Sequence, residues 1–318
     1  MKEKYKVASF FAGIGGICYG FEQAGAKIIW ANEIDSKCCL TYKQNFRNTY
    51  LVEKDIKTVE PNEVPTVDII NGGFPCQTFS IAGNRKGFKD ARGTLFFELA
   101  RIIKEKQPKA ILLENVKNLL SHDNGKTFDT IKRTLEKIGY YVHFKVLNTM
   151  IYGNVPQNRE RVYIVCFKSK NCFDAFNFPK PMNLSKSIAD IIDFDKKVPD
   201  KYYYKKDSYL YNKLIKSVKS QNSIYQWRRV YCRENKNHVC PTLTANMGTG
   251  GHNVPIIRDN YGVRKLTPEE CILFQGFPKQ FKFPKELLDT AKYKQIGNSV
   301  SVPVIKRIVK NILEALKK

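Results

Sequence analysis

Lys6-Val7-Ala8-Ser9-Phe10-Phe11-Ala12-Gly13-Ile14-Gly15-Gly16 is the stretch on which the fold turns. Lys6 to Phe11 reads as a buried strand and the glycines as a turn. A helical pattern starts near Ile17, with Phe21 and Ala24 on one face. Strand, glycine turn and helix in that order open a Rossmann-like α/β unit, because glycines let a ligand approach the backbone where a helix N-terminus exposes its N–H groups. The spacing Gly13-Ile14-Gly15-Gly16 is not G-x-G-x-x-G, so a dinucleotide pyrophosphate is poorly supported. A second strand, Ile28 to Asn32, ends in Glu33 and Ile34. An acidic residue about 20 positions after the glycine turn is where such folds hold a ribose; a cap on the helix starting near Ser36 is an equal reading of Glu33. Asp55-Ile56 follows a third short strand and reads either as a neighbour of an adenine or as an exposed turn.

Moving outward, the apolar run Val67 to Ile70 leads into Gly72-Gly73-Phe74-Pro75-Cys76-Gln77-Thr78-Phe79-Ser80. Paired glycines and a proline put the Cys76 thiol at a bend at the end of a strand, where open α/β sheets meet their substrates. Free cysteines are usually small buried hydrophobes. The turn residues and hydroxyls around Cys76 favour a nucleophile instead. Gly83 to Gly93, with Arg85, Lys86, Lys89 and Arg92, reads as a basic surface loop or as a lid over a phosphate-bearing substrate. An amphipathic helix follows, Leu95 to Lys106, and Pro108 closes it. The next strand, Ala110 to Leu113, ends in Glu114-Asn115-Val116, so Glu114 occupies the same kind of strand end as Cys76. A carboxylate there is costly to bury unless it is paired or used, and beside a cysteine it suggests covalent attack assisted by proton donation. Lys126 to Ile138 reads as a helix, and Tyr140 to Asn148 and Val162 to Phe167 as strands. In Gln157-Asn158-Arg159-Glu160-Arg161 the two arginines are two apart and face one way if extended. They are then either a clamp for an anion or a surface pair with Glu160 as counterion.

From Lys168 to Gly262 the helix–strand alternation fades. Aromatic and basic residues interleave, as in Tyr202-Tyr203-Tyr204-Lys205-Lys206 and Tyr225-Gln226-Trp227-Arg228-Arg229-Val230-Tyr231. A glycine-rich polar loop, Thr242 to Gly251, follows. The 318 residues carry a net charge of +24, unevenly distributed: +8 over residues 1–167, +9 over 168–262 and +7 over 263–318. The excess per residue rises beyond Phe167, and nucleic acid is the leading partner. An irregular, mainly β second domain that reads a nucleic-acid groove is therefore expected at 168–262, inserted into a first domain made of 1–167 and 263–318. Thr267 and Glu270 form a capping box at the start of a helix over Leu266 to Phe277. The terminal helix, Val302 to Leu316, carries Ile305, Ile308, Val309, Ile312 and Leu316 as its apolar residues and is expected to pack on the sheet of the first domain. Nine cysteines without C-x-x-C spacing suggest neither a disulfide framework nor zinc. With a start that leads into a strand and no membrane-length apolar stretch, a reducing cytoplasm is expected.

Phe11 to Gly16, Gly73-Phe74-Pro75-Cys76-Gln77, Glu114-Asn115-Val116, Gln157 to Arg161 and Gln295-Ile296-Gly297-Asn298-Ser299-Val300 together resemble the motifs of the DNA cytosine-C5 methyltransferases of bacterial restriction–modification systems. They stand in the family's order and span nearly the whole chain. The resemblance implies a seven-stranded sheet, an inserted target-recognition domain and a C-terminal helix that returns to the sheet. It implies S-adenosyl-L-methionine as methyl donor, S-adenosyl-L-homocysteine as product, no metal and double-stranded DNA as substrate. A bacterial cytoplasmic monomer is implied, with a restriction endonuclease as functional counterpart rather than bound partner. By carry-over Cys76 adds to cytosine C6, Glu114 protonates or hydrogen-bonds N3 and the exocyclic amine, and Arg159 and Arg161 hold the carbonyl and lower the thiol pKa. The base is flipped out of the duplex to be reached. Phe11, Gly13, Ile14, Gly15, Gly16, Glu33, Ile34, Asp55, Ile56, Pro75, Leu95, Asn298 and Val300 then line the cofactor pocket. Gln77, Ser80, Arg85, Lys86, Gln226, Arg228, Arg229 and Thr242 meet DNA, with Gln226 where a family glutamine fills the gap left by the flipped base. A tRNA cytosine-C5 methyltransferase and a catalytically idle DNA-binding regulator are the alternatives. The first lacks support because its typical Cys-Phe-Thr element is missing here, the second because Cys76, Glu114 and both arginines are intact.

Overall fold

The computed structural model describes residues 4–75 and 95–318. Packing divides the chain into two compact units, one of Met1–Leu147, Glu160–Lys180 and Val304–Lys318, the other of Asn148–Arg159 and Pro181–Pro303. In the first unit, strands β1 (Lys6–Phe10), β2 (Lys27–Asn32), β3 (Tyr50–Val52), β4 (Ile69–Gly72), β5 (Ala110–Val116), β6 (Tyr141–Asn148) and β7 (Glu160–Phe167) form one sheet in the order β3-β2-β1-β4-β5-β7-β6. The pairs from β3 across to β5 are parallel, and β7 runs antiparallel to β5. Parallel strands covered on both faces read as continuous apolar runs, and Ala110 to Leu113 is buried at every position.

The chain builds outward from β1 through β2 to β3, then crosses back to lay β4 on the other side of β1. Such a reversal opens a crevice at the carboxyl ends of the two central strands. Register decides what faces it. Phe10 pairs with Gly72 and Gly72 with Leu113, so the next residues, Phe11, Gly73 and Glu114, emerge at one level. Helix α1 (Gly16–Ala24) packs against the terminal helix through Gly20, where a Cβ would overlap the Ile305 side chain. The terminal helix thus meets α1, and the Tyr5 hydroxyl donates to the Leu316 carbonyl at its end.

The second unit holds a four-stranded sheet, β11-β10-β8-β9, of β8 (Tyr225–Arg228), β9 (Tyr231–Glu234), β10 (Ile256–Asp259) and β11 (Gly262–Lys265). Its neighbours are all antiparallel, as the irregular, mainly β reading anticipates. Alternation turns Tyr225, Ile256 and Val263 to one face, where Leu210, Leu214 and Val218 of the Tyr211–Ser217 helix and its flanks cover them. Residues 263–303 cluster with this unit rather than with the first. β11 is hydrogen-bonded to β10, and the Asp289–Asn298 helix packs on the turn Ala245–Thr249. Residues 148–159 join it through the Gln157–Cys240 bridge. The packing boundaries therefore differ from the sequence division at 168 and 263, which follows the change in helix–strand rhythm.

Gly297 sits where a Cβ would overlap the Thr244–Ala245 backbone. Backbone cannot rotate aside as a side chain can, so Gly297→Ala is expected to cost about 1–3 kcal/mol. A urea unfolding midpoint unchanged from wild type would show that the helix slides away freely.

Candidate active site

At the crevice, the backbone after β1 turns through three left-handed residues: Phe11 at φ 52°, Gly13 at 55° and Gly15 at 87°. The turn closes on itself, with Gly15 N donating to Ala12 O at 2.8 Å. A Cβ on Gly15 would run into the Phe46 ring, whereas one on Gly13 would meet nothing within 4 Å. Open space over Gly13 leaves its backbone accessible to a ligand. Glu33 is locked beside it. One oxygen accepts from Gly13 N at 2.8 Å, and the other from Ile34 N and Asp35 N at 2.9 Å each. Each carboxylate oxygen offers two lone pairs, so the first keeps one for a hydroxyl. The cap on the following helix is Asp35, which accepts from Lys37 N and Cys38 N, so Glu33 is not the cap residue. Asp55 caps the turn Ile56–Thr58, accepting from Lys57 N, and Ile56 is buried in the core. Ile34 lies 64% exposed next to Glu33. Ile14 and Gly16 are buried, Leu95 half-buried and Pro75 exposed. A fixed acceptor beside an open backbone and an exposed apolar side chain fit a nucleoside, as S-adenosylmethionine requires. Asn298, exposed, and Val300, buried, lie in the second unit.

At the end of β5, Glu114 is 8% exposed, and its Oε1 takes the Nε of Arg161 at 3.2 Å. The pairing follows from register: Val116 is opposite Arg161 and Glu114 opposite Tyr163, so Glu114 and Arg161 are diagonal neighbours on one face. Glu160, the suggested local counterion, instead pairs with exposed Lys117. The other Glu114 oxygen faces Gly73, where an added Cβ would touch it at 3.6 Å. A carboxyl fixed along one edge by a guanidinium, with its second oxygen beside glycine, can hold or transfer a proton at that oxygen. Asn115 adds a strut that sequence reasoning missed, its Nδ2 donating to Phe74 O at 2.8 Å. The signal was a second polar residue, next to Glu114, in a strand otherwise apolar. It anchors the segment two residues before Cys76.

Arg159 is 2% exposed in the second unit, and its guanidinium donates to the carbonyls of Leu243 at 2.7 Å, Gly297 at 3.3 Å and Ser299. The two arginines thus have separate partners rather than a common anion. Gln157 and Gln275 reinforce the same region by donating to Phe274 O and Ile296 O. Cys76, Gln77, Ser80, Arg85, Lys86 and the loop Gly83 to Gly93 lie outside the described residues. Burial pushes the Cys18 thiol up to about 11, Cys39 to about 12 and Cys232 to about 11, and raises Cys166, Cys240 and Cys271 as well. These six stay protonated near neutrality and are poor nucleophiles. Among the described residues, no three His, Cys, Asp or Glu side chains cluster as a metal site, and no helix is long and apolar enough to cross a membrane.

The second unit carries a polar cavity of about 760 Å³ walled by the β8–β9 hairpin and the Cys240 to Met247 segment. Gln226, Arg228 and Thr242 line it, as do Arg233, Asn235 and Lys236, which the sequence did not single out. Arg229 is not among its lining residues; it stands exposed at the hairpin turn with φ 48°.

The family model for C-5 cytosine-specific DNA methylases matches residues 5–314. Type II methyltransferase M.Bsp6I of Bacillus sp. (strain RFL6) is 51% identical over 314 residues, covering 98% of this chain and 99% of that protein. Type II methyltransferase M.HhaI of Haemophilus parahaemolyticus is 38% identical over 318 residues, covering 96% and 93%. Among solved structures, that of Spodoptera frugiperda DNMT2 shares the fold at a TM-score of 0.76 with 21% identity, covering 98% of this chain and 100% of that one. A match that runs from β1 into the terminal helix takes in the Gly13–Glu33 turn, the Glu114–Arg161 strand ends and the polar cavity alike, and the chain belongs to the C-5 cytosine-specific DNA methylase family.

Proposed function

We propose that this chain methylates C5 of cytosine in a specific duplex DNA sequence through a covalent bond between Cys76 and C6 of a flipped-out base. The methylation protects DNA from a restriction endonuclease of the same specificity. The observation that carries this reading is the Glu114–Arg161 pair, which presents a fixed carboxyl beside Gly73, three residues before Cys76. Phe11, Gly13 to Gly16 and Glu33 hold the donor, S-adenosyl-L-methionine, with Ile34, Asp55 and Ile56 about its adenine and Pro75 and Leu95 completing the pocket. When bound, it supplies a methyl group activated by a sulfonium. The chain's own work is to make C5 nucleophilic. The Cys76 thiolate adds to C6 while Glu114 provides the proton or hydrogen bond that N3 requires, leaving an enamine-like carbon at C5. After methylation, the C5 proton passes to water, its bonding electrons form the C5–C6 double bond and expel the thiolate, and N3 gives back to Glu114 the proton or hydrogen bond it received, which restores the aromatic ring. Arg161 fixes the carboxyl, and Arg159 braces the segments that carry Leu243 and Ser299. Duplex DNA is the substrate, and the basic second unit reads it.

The test pairs labelled S-adenosylmethionine with duplex DNA or tRNA. Wild type is expected to label only DNA, and Cys76→Ala is expected to lose transfer while calorimetry still detects cofactor binding. A duplex containing 5-fluorocytosine should trap wild type in a denaturant-stable adduct, because fluorine at C5 blocks the elimination. Failure to trap would remove Cys76 as nucleophile.

A further inference from the structure

We propose that Arg233 is a positioning residue for sequence recognition: with Arg228 it holds Gln226 so that these three side chains together present donors only, and the base edge they select is that of guanine. The inference rests on the reading of the chain as a duplex-DNA cytosine methylase and goes beyond it by naming the base chemistry and the residue that sets it.

The argument starts from register. In the β8–β9 hairpin Gln226 is directly opposite Arg233, and Arg228 is opposite Tyr231. Two-residue alternation puts Gln226, Arg228, Tyr231 and Arg233 on one face, while Tyr225, Trp227 and Cys232 turn toward the apolar cluster on the other. The face with the glutamine and arginines is a wall of the polar cavity. There the Gln226 Oε1 accepts from Arg233 at 2.7 Å and from Arg228 at 3.0 Å. Arg233 is steadied in turn by Asn235, whose Oδ1 accepts from it at 3.4 Å and whose Nδ2 donates to the Ile224 carbonyl at 3.0 Å.

A glutamine amide ordinarily reads adenine, its oxygen accepting from N6 and its nitrogen donating to N7. A carbonyl oxygen has two lone pairs, and here two guanidiniums occupy both. Rotating the amide by 180° would set its NH2 against two cationic donors, so the orientation is fixed. What remains is the Gln226 NH2 and the outer N–H groups of both arginines. A cluster of donors finds its match in the N7 and O6 acceptors of guanine; thymine offers a single acceptor and a methyl group, and adenine and cytosine each present a donor that none of these three side chains can accept.

The purified full-length enzyme is tested first on a library of randomised duplexes, with methylation read by bisulfite sequencing, and then on its preferred duplex carrying 7-deazaguanine at each guanine in turn. Wild type should require guanine at one position or more outside the target cytosine, and one 7-deazaguanine substitution should raise KM about 5- to 100-fold. Arg233→Met should raise KM on the unmodified duplex by a similar factor, change kcat less, admit other bases at that position and respond no further to the 7-deaza substitution there. Arg233→Lys, which can still donate to Oε1, should recover part of the selectivity. The proposal is overturned if Arg233→Met keeps wild-type selectivity at every position, or if the recognised bases are adenine or thymine. A wild type that fails to methylate any duplex would instead refute the functional reading itself, and the proposal with it.

Discussion

Glu114→Gln is expected to lower methyl transfer at saturating DNA by about 10²–10⁴-fold, the range lost when a positioned proton donor is removed. The amide is nearly isosteric, so the strand end keeps its shape, but it cannot give up a proton as a carboxyl can. Because Glu114 is paired with Arg161 at 3.2 Å, the variant also deprives a largely buried guanidinium of its counterion. A lost charge partner of this kind destabilises, and an inactive variant alone would be ambiguous. Glu114→Asp separates the two effects. It keeps the negative charge but withdraws it by one methylene, so folding should be less affected than in the glutamine variant while transfer is still reduced. Single-turnover rates and thermal midpoints of both variants are the required measurements. A glutamine variant within tenfold of wild type would make the ion pair a structural tie and move the proton chemistry elsewhere.

Arg264→Met is expected to destabilise the second unit by about 3–5 kcal/mol, the cost of leaving buried charges without a partner. Arg264 is fully buried, and its guanidinium meets the Glu270 carboxylate at two points, 2.7 and 2.8 Å, while its Nε pairs with Asp259. Both carboxylates have further duties. Asp259 holds the β10–β11 turn by accepting from Tyr261 N at 2.8 Å and Gly262 N at 3.0 Å, and Glu270 closes the capping box by accepting from Thr267 N at 2.8 Å. Burial and the neighbouring Asp259 carboxylate push the Tyr203 phenol up to about 12, so Tyr203 stays protonated and donates to Asp259 at 2.9 Å. One guanidinium therefore ties a hairpin turn to a helix start. Adding Asp259→Asn and Glu270→Gln to Arg264→Met should recover part of the loss, because the stranded charges go with it. If the triple variant is no more stable than the single one, lost packing rather than unpaired charge is the cause.

The parts of this fold that depend on near neighbours were legible in the amino-acid order. Apolar periodicity marked the Leu95–Lys106 helix at both ends, and the glycines after β1 marked a turn whose left-handed φ values other residues rarely adopt. Thr267 and Glu270 formed their capping box as their spacing requires. Placing Glu114 near a strand end followed from the same rhythm. What depended on distant segments was not legible. β5 runs on through Glu114 to Val116 because β7 pairs with it along its whole length, which no local pattern in 110–116 announces. Arg159 and Arg161 look alike in sequence, yet one is taken up by three carbonyls and the other by a carboxylate, because their acceptors come from residues 243, 297, 299 and 114. Gln226 was visible as a residue, but its orientation was not, since that depends on the register that sets Arg233 opposite it. Sequence alone determined which elements form and which side chains stand at their ends, because steric and hydrogen-bonding preferences act over a few residues. Tertiary structure alone decided the partners of those side chains, because a buried charge or amide takes whatever group the packing of remote segments brings within hydrogen-bonding distance.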